Sequence, residues 1–277
     1  MSNLLTKICE VKRKAIAKRK VKRSLSELES DAKDAPPVRD FSAALDRRVQ
    51  CGGYALIAEL KKASPSAGLI RTDFNPSELA QSYEAGGAAC LSVLTEEDHF
   101  KGRDDYLRMV RKSSNCPVLR KDFMLDPYQI IESRAIGADC ILLILAVLDD
   151  IQAAELESCA NDYELEVLIE VHNESELDRA LTLKSKLIGI NNRNLENLEV
   201  DISTTERLLP QLPKEKSVVT ESGLRARADL ERLAAFGAKR FLIGEHLMRQ
   251  PDVEQATRNL LNSPMKEGVQ ASVAPNG

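Results

Sequence analysis

Five stretches of this 277-residue chain end in residues that can move protons or grip anions, and each of those ends follows a short apolar run. Ile57 to Leu60 carries Glu59 and leads to Lys61, and Val118-Leu119-Arg120 runs into Lys121. Leu165 to Val171 carries Glu170, Leu187 to Asn191 leads to Arg193, and Ser217 to Thr220 leads to Glu221-Ser222-Gly223. Carboxylates placed beside ammonium groups can protonate a developing oxyanion and take a proton from carbon. One acid and one base on one strand could equally be a structural ion pair. The repetition argues otherwise, because burying Glu59, Lys61, Lys121 and Glu170 with no ligand to serve is costly for each group before pairing. Residues two apart on a strand face the same way. If Ile57, Leu119, Leu168, Gly189 and Val219 face inward, so do Glu59, Lys61, Lys121, Glu170, Asn191, Arg193 and Glu221, and polar groups converge at one end of a sheet.

Those residues need a scaffold, and the spacing of the apolar runs supplies one. Strand-like runs centre near Ala58, Ser92, Leu119, Leu142, Ile169, Gly189, Val219 and Leu242, in units of about 20 to 35 residues, the period of a repeated strand and helix. Asn75-Pro76 and Asp126-Pro127 open helices with a cap and an early proline, while Gly86-Gly87, Gly137 and Gly237 stand where helices should stop. Regular alternation predicts parallel strands with crossover helices. The charged strand ends are spread over most units instead of gathering at one switch point, which favours a closed (β/α)8 TIM barrel over an open doubly wound sheet. The expected organisation is an N-terminal helical extension over 1–48, a single α/β barrel over 49–262 and a disordered tail over 263–277.

In the extension, Leu4, Leu5, Ile8, Val11 and Ala15 trace a partial helical stripe beside a crowd of lysines and arginines expected to meet solvent. Ser24-Leu25-Ser26-Glu27 should cap a second helix that ends at Asp34-Ala35-Pro36-Pro37. A basic run can bind nucleic acid, but a net charge of −4 gives no sign of a nucleic-acid-binding body. Six cysteines without CxxC or His/Cys ligand spacing read as reduced packing residues of a cytoplasmic protein, and no metal set is visible. No apolar run approaches the roughly 18 residues of a membrane span. His99 and His246 are isolated, and His172 would share the face of Glu170 only if its strand continued; the strand is expected to end there.

The last two units carry a phosphate signal. Ser222-Gly223 and Gly244-Glu245 each put a small residue after a strand and before a helix, where backbone N–H groups and the helix dipole can hold a dianion, with Lys61 and Ser64 next door around the ring.

The segments Ile57 to Ser66, Ser92 to Glu96, Leu119 to Phe123, Ile169 to His172, Gly189 to Arg193, Thr220 to Gly223 and Leu242 to Glu245 together resemble the indole-3-glycerol-phosphate synthase family of tryptophan biosynthesis. So do the Ile8 to Lys14 segment and Arg39-Asp40-Phe41, so the likeness covers nearly the whole chain; Ala67 departs from the lysine that many relatives carry. The resemblance implies a reaction without a cofactor on a phosphorylated small molecule; the sequence does not reveal the oligomeric state, and a monomer is one state it allows. It also implies roles: Lys121 as general acid, Glu170 as base, Glu59 and Lys61 beside them, Asn191 and Glu221 as further catalytic groups. Arg193, Ser222, Phe100 and Phe123 would bind the organic part of the substrate, and Lys61, Ser64, Ser222, Gly223, Gly244 and Glu245 its phosphate.

Overall fold

The computed structural model describes residues 3–195 and 197–261; the tail expected over 263–277 lies outside the described residues. Eight parallel strands close into a barrel: β1 (Ala55–Leu60), β2 (Cys90–Leu94), β3 (Val118–Lys121), β4 (Cys140–Ile144), β5 (Glu166–Val171), β6 (Leu187–Asn191), β7 (Ser217–Glu221) and β8 (Arg240–Ile243), with β1 paired to both β2 and β8. All eight runs read from the sequence are strands. The register realises the parity argument, because neighbouring residues in a parallel pair face the same way. Glu59 lies beside Ser92, Lys121 beside Leu94, Glu170 beside Gly189, and Asn191 beside Glu221.

Helices cover the outside. After the extension helices α1 (Asn3–Lys22), α2 (Leu25–Asp34) and α3 (Phe41–Gln50) come α4 (Pro76–Gly86), α5 (Asp104–Ser113), α6 (Pro127–Ala135), α7 (Asp150–Asp162), α8 (Glu174–Ala180), α9 (Ser203–Leu208), α10 (Arg227–Ala234), α11 (Glu245–Met248) and α12 (Val253–Leu261). The caps are the ones the sequence announces. Asn75 and Asp126 accept the N–H groups of Ser77 and Tyr128 at 3.1 and 2.9 Å, and Gly87 ends α4 at a φ of 101°, which a Cβ would disfavour. Ser24 and Glu27 form a reciprocal capping box at the start of α2.

The extension is wrapped around the barrel, and α3 runs past residue 48 to Gln50. Phe41 and Leu45 of α3 are fully buried, each burial stabilising the fold by about 1.5–3 kcal/mol. The residues around them reach the N-terminal ends of several strands: Ser42 donates its N–H to Glu166 at 2.9 Å, and Arg39 donates its own to Asp139 at 2.7 Å. This helix closes the bottom of the barrel.

α1 lies instead beside the C-terminal ends, and here the structure corrects the sequence reading. The buried stripe is Leu5, Ile8, Cys9, Lys12 and Ile16, while Val11 is exposed. Lys12 does not meet solvent: its Nζ sits 2.7 Å from Asp122 Oδ1, with both side chains buried. Arg19 reaches Glu97 and Asp104 at 2.7 Å and Glu132 at 2.9 Å, and Lys20 pairs with Asp126 at 2.7 Å. The anchor below them is Arg120, whose position in β3 turns it outward while Lys121 turns inward. Fully buried, Arg120 donates to Thr95, Asp104, Glu132, Ser133 and the Gln129 carbonyl at 2.8–3.2 Å, so every arm of its fork is matched.

Candidate active site

A cavity of about 520 Å³ opens at the C-terminal ends of the strands, and Lys121 stands on its floor within reach of three carboxylates. Its Nζ forms a short ion pair with Glu221 Oε2 and lies 3.6 Å from Glu170 Oε2 and 3.7 Å from Glu59 Oε2. Burial opposes its charge, but Glu221, then Glu59 and Glu170, raise its proton affinity above that of an ordinary lysine. Lys61 pairs with Glu59 at 2.6 Å across the i to i+2 spacing that the strand dictates.

The three acids fall into two states. Burial works against Glu170, yet Lys121, His172 and Asn191 outweigh it and hold the carboxyl at about 2; Asn191 donates from Nδ2 at 3.1 Å. Glu59 is likewise held below its ordinary value, by Lys61 and Lys121 against burial. Glu221 goes the other way: burial, together with the charges of Glu170 and Glu59, pushes it up to about 7 despite Lys121. One member of the cluster therefore exchanges its proton near neutral pH.

Glycines make room for two of these acids. A Cβ on Gly189 would lie 2.5 Å from Glu221 Oε1, and one on Gly244 would lie 2.5 Å from Glu59 Oε1. Gly244, expected from its position to serve phosphate, is thus also the gap through which Glu59 reaches the cavity.

Ser222 and Gly223 follow β7 with φ of 66° and 80°. They form the tight turn between β7 and α10, the kind of strand-to-helix turn whose backbone N–H groups can hold an anion. A Cβ on Gly223 would meet Val200 at 2.6 Å and Ile202 at 3.0 Å, so that α-carbon faces the β6–α9 loop and not the anion. Glu245 turns its side chain to Arg249 at 2.9 Å, leaving its backbone as the part that can face the cavity.

Opposite this end stand two aromatic rings, Phe100 and Phe123, with centroids 6.4 Å apart. Glu96, buried at the start of its loop, positions one of them by accepting the N–H groups of His99 at 2.7 Å and Phe100 at 3.0 Å. Asp122 positions the other by accepting the N–H of Phe123 at 2.8 Å, and the same carboxyl holds Lys12 of α1. Arg193 is fixed by its N–H to Asn191 Oδ1 and by Nη1 to the Leu198 carbonyl, both at 3.0 Å.

Every residue singled out from the sequence lines this cavity except Ser64. Ser64 belongs to a two-residue hairpin, where its hydroxyl accepts the Ala67 N–H at 3.2 Å. Arg225, His246 and Arg249 also line the cavity; the sequence shows His246 as isolated and does not single out the two arginines, since all three lie beyond the strand ends where strand parity says nothing. Among the described residues no group of three or more His, Cys, Asp or Glu side chains is placed to hold a metal ion.

A family profile described as indole-3-glycerol phosphate synthase matches residues 5–260. The indole-3-glycerol phosphate synthase of Azospirillum brasilense is 59% identical over 261 residues, which is 94% of this chain and 100% of that protein. The one from Rhodospirillum rubrum is 55% identical over 94% of this chain and 100% of its own length. Among solved structures, 3-hexulose-6-phosphate synthase from Salmonella typhimurium superposes with a TM-score of 0.61 over 74% of this chain and 96% of that one, at 11% identity, a likeness of fold alone. With a matching profile and such identity over almost its full length, the chain belongs to the indole-3-glycerol phosphate synthase family, the carboxy-lyases that close the indole ring in tryptophan biosynthesis.

Proposed function

We propose that Lys121 and the three carboxylates around it carry the conversion of 1-(2-carboxyphenylamino)-1-deoxyribulose 5-phosphate to indole-3-glycerol phosphate, carbon dioxide and water. The observation that carries this reading is the position of Lys121 Nζ within 3.7 Å of Glu59, Glu170 and Glu221 on the floor of one cavity. The ring carbon bearing the carboxylate attacks the ketone, and Lys121 gives its proton to the alkoxide that forms. The three carboxylates keep this ammonium protonated, so the proton is in place when needed, and the greater basicity of the alkoxide drives its transfer. Carbon dioxide then leaves and its bonding electrons restore the aromatic ring. Lys61 protonates the departing hydroxyl, which leaves as water, and Glu170 takes a proton from the nitrogen-bearing methylene to complete the indole. Glu221, able to hold a proton near neutral pH, returns one to Lys121.

The two ends of the cavity fit the two ends of such a substrate. Phe100 and Phe123 would cover the anthranilate ring, and the Ser222-Gly223 turn with Gly244 and Glu245 would hold the phosphate. Asn191 and Arg193 would orient the chain between them. We further assign the protein to the cytoplasm, acting without a nucleic-acid partner. All six cysteines are unbridged, and Lys12, Arg19 and Lys20 of the basic helix are engaged by acids of the barrel. No helix among the described residues is long and apolar enough to cross a membrane. The test is indole fluorescence developing from the purified protein and the aminodeoxyribulose phosphate with a chelator present; no signal would overturn the reading.

A further inference from the structure

His172 follows β5 directly, its side chain only 8% exposed, and both of its ring nitrogens face carboxylates. Nε2 lies 3.2 Å from Glu170 Oε1, within ion-pair range though off the line of a hydrogen bond, and Nδ1 lies 2.9 Å from Glu176 Oε2. Glu176 is itself fixed, by the His172 N–H at 2.9 Å and by Asn173 Nδ2 at 2.9 Å. A neutral imidazole would turn one lone pair toward a carboxylate, whereas an imidazolium offers a proton to each. Glu170 Oε1 is thereby occupied by His172 and Asn191, which leaves Oε2 toward Lys121 and the cavity.

We propose that His172, held as an imidazolium between Glu170 and Glu176, is a positioning residue that fixes which oxygen of Glu170 meets the substrate and supplies the third cation of the buried cluster. Among the described residues, the cavity-side cations within 4 Å of Glu59, Glu170 and Glu221 are Lys61 and Lys121; His172 balances the acids from behind. It lines a separate cavity with Leu5 of α1, Asn191 and Asn192, and the charged groups facing that space are Glu176, Glu199, Asp201 and Arg207. Burial works against its proton, but Glu170 and Glu176 together raise its pKa to about 9.

The proposal rests on Glu170 acting as base, and two experiments keep the claims apart. The chain has three histidines, so nitrogen NMR of the folded protein, assigned by single substitutions, reads the charge of His172 directly. The expected result is an imidazolium at pH 7 that titrates above pH 8. Kinetically, His172→Gln should move the acid limb of kcat/KM up by about one pH unit, as loss of one nearby cation does to a carboxylate, and should lower kcat with KM little changed. Glu176→Gln should instead bring the titration of His172 down toward its ordinary range. A neutral His172 at pH 7, or pH profiles unchanged in both variants, would overturn the proposal even if neither variant lost stability. If Glu170→Gln kept full turnover while His172 was found charged, the failure would lie with the base assignment.

Discussion

Replacing Gly189 by alanine tests whether that glycine exists to admit a carboxylate. The new Cβ would sit 2.5 Å from Glu221 Oε1, against an ordinary contact of 3.4 Å or more, so the carboxylate must retreat by about 0.9 Å. It cannot do so freely, because Oε2 of the same group is paired with Lys121. Such overpacking destabilises by about 1–3 kcal/mol. The smaller entropy of an unfolded alanine returns about 0.4–1 kcal/mol. The net loss of about 0–3 kcal/mol corresponds to a melting temperature lowered by no more than about 10 °C for a chain of this size. The catalytic effect should be larger, since displacing a catalytic group by about 1 Å lowers turnover on the order of 100-fold. Calorimetry and the fluorescence assay would read the two quantities separately. Gly189→Ala combined with Glu221→Asp should recover most of the stability, the shorter acid clearing the Cβ, without recovering turnover, because the aspartate no longer reaches Lys121. Turnover within twofold of the parent in Gly189→Ala would refute the idea that this gap positions Glu221.

The two lysines should separate kinetically: Lys121→Met is expected to cut single-turnover rate by about 100- to 10,000-fold while binding of a non-reactive reduced substrate analogue is kept. Lys61→Met should weaken that binding as well, and the reverse pattern would exchange their roles. Ser222→Ala should raise KM by the equivalent of about 1 kcal/mol, whereas Gly223→Val should lower stability as well as affinity, its side chain driven against Val200 from a left-handed backbone; equal effects of the two would place the phosphate elsewhere. Lys12→Met should destabilise by about 1.5–3 kcal/mol, the loss of one charge-assisted bond, because buried Asp122 then keeps only Arg120 at 3.9 Å and the Thr95 hydroxyl and Phe123 N–H as partners, and adding Asp122→Asn should recover part of it in chemical denaturation. The buried cluster also fixes a stability profile. Glu170, lowered to about 2 from an ordinary 4.5, stabilises above pH 4.5 and loses that contribution as pH falls through 2. Glu221, raised to about 7, and His172, raised to about 9, bind protons more tightly when folded, so their contributions are lost as pH rises through those values. Melting temperature should therefore decline from about pH 5 toward pH 9, with Glu221→Gln flattening the lower part of the slope and His172→Gln the upper.

Strand parity made most of the site legible, because every inward residue near a strand's C-terminal end must face the same cavity once the barrel closes. Glu59, Lys121, Glu170 and Glu221 needed no more than that. What lay outside this rule was harder to read. Lys12 looked solvated because a lysine in a basic run is usually so; it is buried only because Asp122, 110 positions later in the chain, waits beneath it. His172 lies one residue past its strand, where the direction of a side chain depends on the turn and on Glu176 of the next helix. Ser64 stands near a charged strand end in sequence, but a hairpin carries it off the cavity wall. The stripe of α1 was read about one residue out of phase at its edges, since Leu4, Val11 and Ala15 are apolar without being the residues most deeply covered.

The cross-chain pairs of α1 have a consequence for how the molecule is made. Arg19 emerges during synthesis 85 residues before Asp104 and 113 before Glu132. At roughly 5–20 residues per second, the helix waits on the order of 5–20 s for the acids that will hold it. Its lysines and arginines stay charged and mutually repelling until β3 and α6 exist, so α1, synthesised well before those acids, is expected among the last elements to dock. A ribosome-stalled chain ending near residue 100 should leave the Arg19 bond open to trypsin, and one that includes the complete barrel should protect it; protection in the shorter chain would show that the helix finds its seat without those acids.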